Sequence, residues 1–271
     1  VVMVYLVTPC VIINAFQIDD TPEIRKGLLY SMAIAAAIHV VLLVLSALLS
    51  RPLKLDAVEQ VNVIYSNAAA LVIPLVKALM GDAYVIYSCA FIIVQLVLLW
   101  THASSLLQGS SALDWKKVLT NINMIAIAAG ALLYWFRVVL PAPLQNTMST
   151  VGNMMGPMGM LLAGMAIAEK PLREVFCTRR NYLPTVLRLV VCPLVVLVLL
   201  WVCHASSWAA DGKNILMTVY LAAITPACAT VTSMAQLYDR DAAHSSALYV
   251  LTTLLSIVSM PVMIGLFDLL L

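Results

Sequence analysis

Ser66-Asn67-Ala68-Ala69-Ala70-Leu71-Val72-Ile73-Pro74 and, with Thr225 standing 159 positions beyond Ser66, Thr225-Pro226-Ala227-Cys228-Ala229-Thr230-Val231 decide the fold of this 271-residue chain. Each lies in the middle of a long apolar stretch and is poor helix there. Asn67 and Pro74 interrupt the first, and Pro226 with the hydroxyls of Thr225, Thr230, Thr232 and Ser233 interrupts the second. A break of this kind frees backbone N–H and C=O groups, which are tolerable at membrane depth only beside a polar cavity or protein partners. Two broken helices in corresponding positions therefore point to a binding site.

The correspondence is gapless from the breaks to Asp82-Ala83 and Asp241-Ala242, and Thr8-Pro9 pairs in the same way with Gly156-Pro157. An odd number of apolar stretches separates the two copies, so they have opposite orientations in the membrane, the pattern of an inverted-repeat transporter.

Working outward, 63% of the residues are hydrophobic and only 10% charged, which excludes a soluble domain clothed in polar side chains. Nine stretches of at least 17 residues carry no Asp, Glu, Lys or Arg: 1–18, 27–50, 60–76, 83–113, 118–136, 138–168, 189–210, 214–238 and 242–267. Each is long enough to cross a hydrocarbon core of about 30 Å as a helix. A β-barrel needs shorter segments alternating apolar and polar, and these are absent. The chain reads as an all-α membrane protein.

A net charge of +2 without a basic run gives no sign of a nucleic-acid partner. The six cysteines are scattered without CxxC or His-paired spacing, so neither a metal, a cofactor nor a disulfide framework is indicated. The partners are the lipid bilayer and a small substrate. No Ser/His/Asp set, HExxH or aspartate pair falls within a span, which argues against an intramembrane enzyme.

Assigning successive loops to alternate sides places nine Lys and Arg residues on one side (Arg51, Lys54, Lys116, Lys117, Lys170, Arg173, Arg179, Arg180, Arg240) and five on the other (Arg25, Lys26, Lys77, Arg137, Lys213). The richer side is expected to be cytoplasmic in a multi-pass cell-membrane protein, with the C-terminus outside. Val1 lies directly in an apolar run, as though one helix preceded it. Arg188, inside a span, reads as snorkelling to the cytoplasmic face, with binding of a substrate carboxylate as the alternative.

Four stretches resemble a known family. Ser66-Asn67 through Ile73-Pro74-Leu75-Val76-Lys77-Ala78-Leu79-Met80-Gly81 is similar to the fourth helix of the auxin efflux carriers, a family that includes plant PIN carriers and bacterial malate and malonate permeases. Gly152-Asn153-Met154-Met155-Gly156-Pro157 through Met165 resembles their seventh helix, Arg188-Leu189-Val190-Val191-Cys192-Pro193 the start of the eighth, and Ala222-Ala223-Ile224-Thr225-Pro226 the ninth.

The resemblance implies two inverted five-helix repeats, here lacking the first helix: residues 1–107, a short cytoplasmic loop 108–116, and residues 117–271. It implies that the fourth and ninth helices are broken and cross near the midplane, and that a crossover domain rocks against a scaffold of the first, second, sixth and seventh. Asn67 matches the family asparagine of the crossover and Pro226 its proline. The chain departs from the pattern at Val231, where a second proline is frequent, and at Asn121-Ile122, where the family has Asn-Pro. The short loop resembles the bacterial type.

Half-helix N-termini carry partial positive charge and unpaired N–H groups, a seat for a carboxylate. The expected function is secondary transport of small organic anions by alternating access, with Asn67, Ser66, Pro74, Gln95, Thr225, Pro226, Thr230 and Ser233 at the substrate. His39, the ionisable side chain nearest the centre of a span, is a candidate proton carrier or a buried neutral histidine. Gln95 reads equally as cavity lining or as an interhelical hydrogen bond, and Gly152-xxx-Gly156 as an internal contact or the face of a homodimer. The alternatives are a membrane-embedded ligand sensor using the same pocket and a cation/proton exchanger of related fold. Aspartates at the crossover would favour the exchanger, and Asp82 and Asp241 sit instead at span ends.

Overall fold

A computed structural model describes residues 2–17, 21–109, 120, 122–154, 157–158, 161, 165, 172–205 and 211–271. Among them every regular element is helical, because backbone groups in lipid must be satisfied within the segment. A π-helical turn, Met3–Val7, leads into α1 (Thr8–Ala15), followed by α2 (Pro22–Ser50). The next span is split into α3 (Ala57–Ile64) and α4 (Ala68–Met80). Next, α5 (Val85–Leu98) passes through a π-helical turn, Leu99–Ala103, into α6 (Ser104–Gln108). Then come α7 (Ile122–Trp135), α8 (Ala142–Asn153) and α9 (Leu172–Cys177). Helix α10 (Arg179–Val186) runs through the π-helical turn Leu187–Val191 into α11 (Cys192–Val202). A second split span, α12 (Gly212–Ile224) and α13 (Ala229–Leu237), precedes α14 (Ala242–Leu270). Among the described residues four continuous segments, Pro22–Ser50, Ile86–Gln108, Arg179–Val202 and Ala242–Leu270, are long and apolar enough to cross a membrane.

Helix starts follow the local chemistry. Thr21 caps α2 by accepting from the Ile24 amide, with Pro22 at the first position where its missing N–H costs nothing. Asp56 and Glu59 form a reciprocal capping box at α3, the Asp56 carboxylate accepting from Glu59 N at 2.8 Å and Glu59 accepting from Asp56 N at 2.9 Å. Asp241 caps α14 through His244 N.

Pro74 requires a correction. It does not interrupt its span but lies inside α4, as Pro184 and Pro261 lie inside α10 and α14. A proline removes one amide bond, which neighbouring helices and small local adjustments absorb in a membrane bundle. The chain leaves the helix at Tyr65–Asn67 because the backbone there pairs with the other split span.

The helices fall into two groups. Helix α1 packs along α7 and α8, with Gly130 admitting the Phe16 ring and Gly152 lying against Val11. A Cβ at Gly130 would clash with that ring, and one at Gly152 would meet Val11 at 3.1 Å, so Gly152 makes an internal contact, while Gly156 lies outside the described residues. The second group is built on α2 against α5, with α12 packed on α4, α5 and α2. Val7 bridges the groups, buried with Ala229 and Tyr249, and Val11, Val151 and Met158 pack around them.

At one end of the second group the Arg180 guanidinium grips the Glu59 carboxylate and the carbonyls of Leu53 and Lys54, with His244 beside Glu59. At the other end Tyr84 donates to Asp211, Asn214 donates to both, and Lys213 lies 3.9 Å from Asp268. Helix α14 joins the two ends, carrying His244 at one and Asp268 at the other. The C-terminus thus lies at the end opposite Arg180.

Candidate functional site at the crossing of the split helices

The two breaks meet. Ser66 and Ala227 form an antiparallel bridge in which Asn67 N donates to Pro226 O at 2.7 Å and Cys228 N donates to Tyr65 O at 3.1 Å. An antiparallel bridge has a local two-fold, and it relates Ser66 to Ala227, a separation of 161 positions. That is two more than in the gapless alignment of the sequence. The backbone groups released by each break are therefore partly satisfied by the other, which is what lets both persist inside an apolar bundle.

The first break is braced by a side chain acting as a backbone. Gln95 on α5 accepts from Ser66 N at 3.0 Å and from Ser66 Oγ at 2.6 Å, and its amide donates to Ser66 O at 2.7 Å. Of the two readings of Gln95, the structure shows the interhelical hydrogen bond. Tyr65, fully buried, reaches Leu98 O and the His102 Nδ1 at 3.1 and 3.0 Å with its hydroxyl. At the second break Thr252 Oγ1 accepts from Ala227 N at 3.1 Å, and Thr225 Oγ1 donates to Ala222 O within its own helix.

Arg188 corrects the expectation of snorkelling. It is 1% exposed, and its five N–H donors all meet backbone carbonyls: Nε to Thr225 O, Nη1 to Val63 O and Ile64 O, Nη2 to Ala223 O and Thr225 O, over 2.6–3.2 Å. Those carbonyls are the C-terminal ends of α3 and α12, the negative poles of both half-helices. Snorkelling requires a free path to the interface, and here the side chain is anchored at the crossing on all its donors.

The N-terminal poles belong to α4 and α13. Asn67 directly precedes α4, is 4% exposed, and its side chain faces the Tyr249 hydroxyl of α14. Cys228 stands in the capping position of α13 without a side-chain cap bond. Thr230 is buried in the first turn of α13, and the Ser233 hydroxyl, one turn on, is buried without a hydrogen-bond partner among the described residues. His39 is fully buried, its Nδ1 on Ala35 O at 2.8 Å and its ring 4.7 Å from that of Phe91. Ser66, Asn67, Gln95, Thr225 and Pro226 are thus brought together at the crossing, while Pro74 lies along α4.

Broken helices that meet inside an apolar bundle are where many transporter folds place their substrate. The family described as membrane transport protein matches residues 1–116 and 111–264. The chain belongs to that family, the auxin efflux carriers. It is a multi-pass membrane transporter, of a family whose members are transporters rather than enzymes. No curated protein matches the chain. In this carrier the residues that sequence reading missed are Tyr65, His102 and Tyr249, and the role it misread is that of Arg188. A charged side chain inside a span is a functional signal in its own right, and Arg188 carried it.

Proposed function

We propose that this transporter moves small organic anions, carboxylates above all, by alternating access, and that the anion sits where the N-termini of α4 and α13 meet. The observation that carries this reading is the arrangement of poles at the crossing. Both C-terminal poles are bonded to Arg188, whereas the N-terminal end of α13 is preceded by the Cys228 thiol, a weak hydrogen-bonding group, and that of α4 by Asn67. Positive helix ends with spare N–H groups favour a carboxylate, and Asn67 adds a donor and an acceptor. The buried full charge at the site is an arginine, which speaks against the cation-exchanger alternative.

In this reading α1, α7 and α8 form the scaffold, and the group bearing the crossing moves against them across the apolar contact of Val7, Val11 and Val151 with Ala229 and Tyr249. The two halves are inverted repeats meeting at the bridge, Ser66 and Gln95 hold the site's shape, and Thr230 and Ser233 line it. The Arg180 end faces the cytoplasm of a cell membrane and the C-terminus faces outside. Cys177 and Cys203, both exposed and flanking the Arg179–Val202 helix, test the orientation: each as sole exposed thiol reacts with a membrane-impermeant maleimide from one side, Cys177 from the cytoplasm.

Uptake of labelled mono- and dicarboxylates into proteoliposomes, with and without pH and sodium gradients, tests the function and whether His39 carries a proton. Uptake is expected without sodium. Asn67→Ala is expected to weaken binding by about 1–3 kcal/mol, roughly 5- to 150-fold, without a matching fall in melting temperature. Unchanged affinity would remove Asn67 from the site, and no uptake of any carboxylate would end the anion reading.

A further inference from the structure

We infer that Arg188 sets the charge of the transport site at about plus one without touching the substrate, so that the carrier takes a singly charged carboxylate. This rests on the reading of the crossing as the anion site. Four helix ends converge there: the C-termini of α3 and α12 and the N-termini of α4 and α13. Each end carries about half an elementary charge, negative at a C-terminus and positive at an N-terminus. The four dipoles alone sum to about zero and have no preference for an anion.

Arg188 changes that balance. Its full positive charge is spent on the carbonyls at the two negative poles, and its five bonds account for all five N–H groups of the guanidinium. Among the described residues no carboxylate pairs with it. The acid nearest the crossing in sequence, Glu59 at the start of α3, is already neutralised by Arg180. A buried charge without a counter-ion is costly, and the positive poles of α4 and α13, which begin at Ala68 and Ala229, are where a counter-ion completes the site.

Two consequences follow for the substrate. One carboxylate brings the crossing to neutrality before it moves through lipid. A dicarboxylate exceeds it by one charge and enters only as its monoprotonated form or with a cation. Because every Arg188 donor is held by backbone, its influence on the ligand passes through the field and the position of the half-helices. It is a positioning and charge-setting residue.

The test compares butyrate, its neutral isostere butyramide, and succinate, measuring affinity by competition against labelled uptake in proteoliposomes at pH 7. Wild-type protein is expected to prefer butyrate over butyramide at least tenfold, and to accept succinate better as pH falls. Arg188→Gln is expected to abolish the butyrate preference, lowering affinity for butyrate at least tenfold more than affinity for butyramide. Arg188→Lys, which keeps the charge with fewer bonds, is expected to keep the preference even where stability falls, and this variant decides the matter if Arg188→Gln does not fold.

Retention of the butyrate preference in folded Arg188→Gln, loss of it in folded Arg188→Lys, or equal losses for both ligands in either variant would overturn the inference. Absence of binding by all three compounds to the wild type would instead overturn the carboxylate reading on which it rests.

Discussion

The two breaks reach the same geometry by different chemistry. At Thr225–Cys228 the main chain itself contains the cause: Pro226 has no amide to give, and the buried donor that follows it, Ala227 N, is taken by Thr252. At Tyr65–Asn67 no proline is present, and the helix stops where the backbone pairs with the other break and Gln95, from a neighbouring helix, supplies the acceptor and donor that the preceding and following turns would have provided for Ser66. One break is written in its own residues. The other is imposed by a side chain 29 positions away, so its persistence depends on packing between α3, α4 and α5.

This difference is open to attack from both sides. The largest effect is expected at Gln95→Leu, which strands Ser66 N and O in an apolar interior, a loss of about 2–5 kcal/mol seen as a fall in melting temperature in detergent. A stability loss no larger than that of an exposed substitution would mean that the first break needs no brace. Next comes Thr252→Val, which leaves Ala227 N without its partner at a cost of about 1–2 kcal/mol in the same measurement.

Pro226→Ala is expected to do least, below about 1 kcal/mol, because the break is also fastened by Asn67 N, Cys228 N and Arg188. Melting temperature and butyrate affinity together report on it. If Pro226→Ala proves worse than Gln95→Leu, the proline dictates the crossing and the order of dependence is reversed.

How much of this was legible in the sequence follows the same division. The helical class was, since uncharged runs of membrane length leave the backbone no alternative to helix, and among the described residues four of the nine runs hold continuous helices of that length. The second break was legible at Pro226. The first was located through Asn67, while Pro74 misled, because a proline signals a break only where its surroundings cannot absorb one lost bond, and in a bundle of packed helices they can. Arg188 was visible as a charge out of place, but its partners lie 35 to 125 positions away and are carbonyls, which every residue possesses and no residue type advertises. Gln95 announced a hydrogen bond without naming what it would hold. The grouping of α1 with α7 and α8 came with the family resemblance, since small residues such as Gly130 and Gly152 mark close approach without saying of what.

The π-helical turns at Met3–Val7, Leu99–Ala103 and Leu187–Val191 bear on how any helix here is to be engineered. Each carries a residue of the crossing or its margin: Val7 against Ala229, His102 on Tyr65, Arg188 on the carbonyls. A π turn amounts to one residue inserted into an α-helix, so everything beyond it is rotated by about 100° and shifted by about 1.5 Å relative to an unbroken wheel. A helical wheel drawn straight through Arg179–Val202 consequently assigns the wrong faces to lipid and protein after Val191. A one-residue deletion inside Leu187–Val191 would restore a regular spiral and swing the guanidinium about a quarter-turn away from α3 and α12, a change no point substitution can imitate.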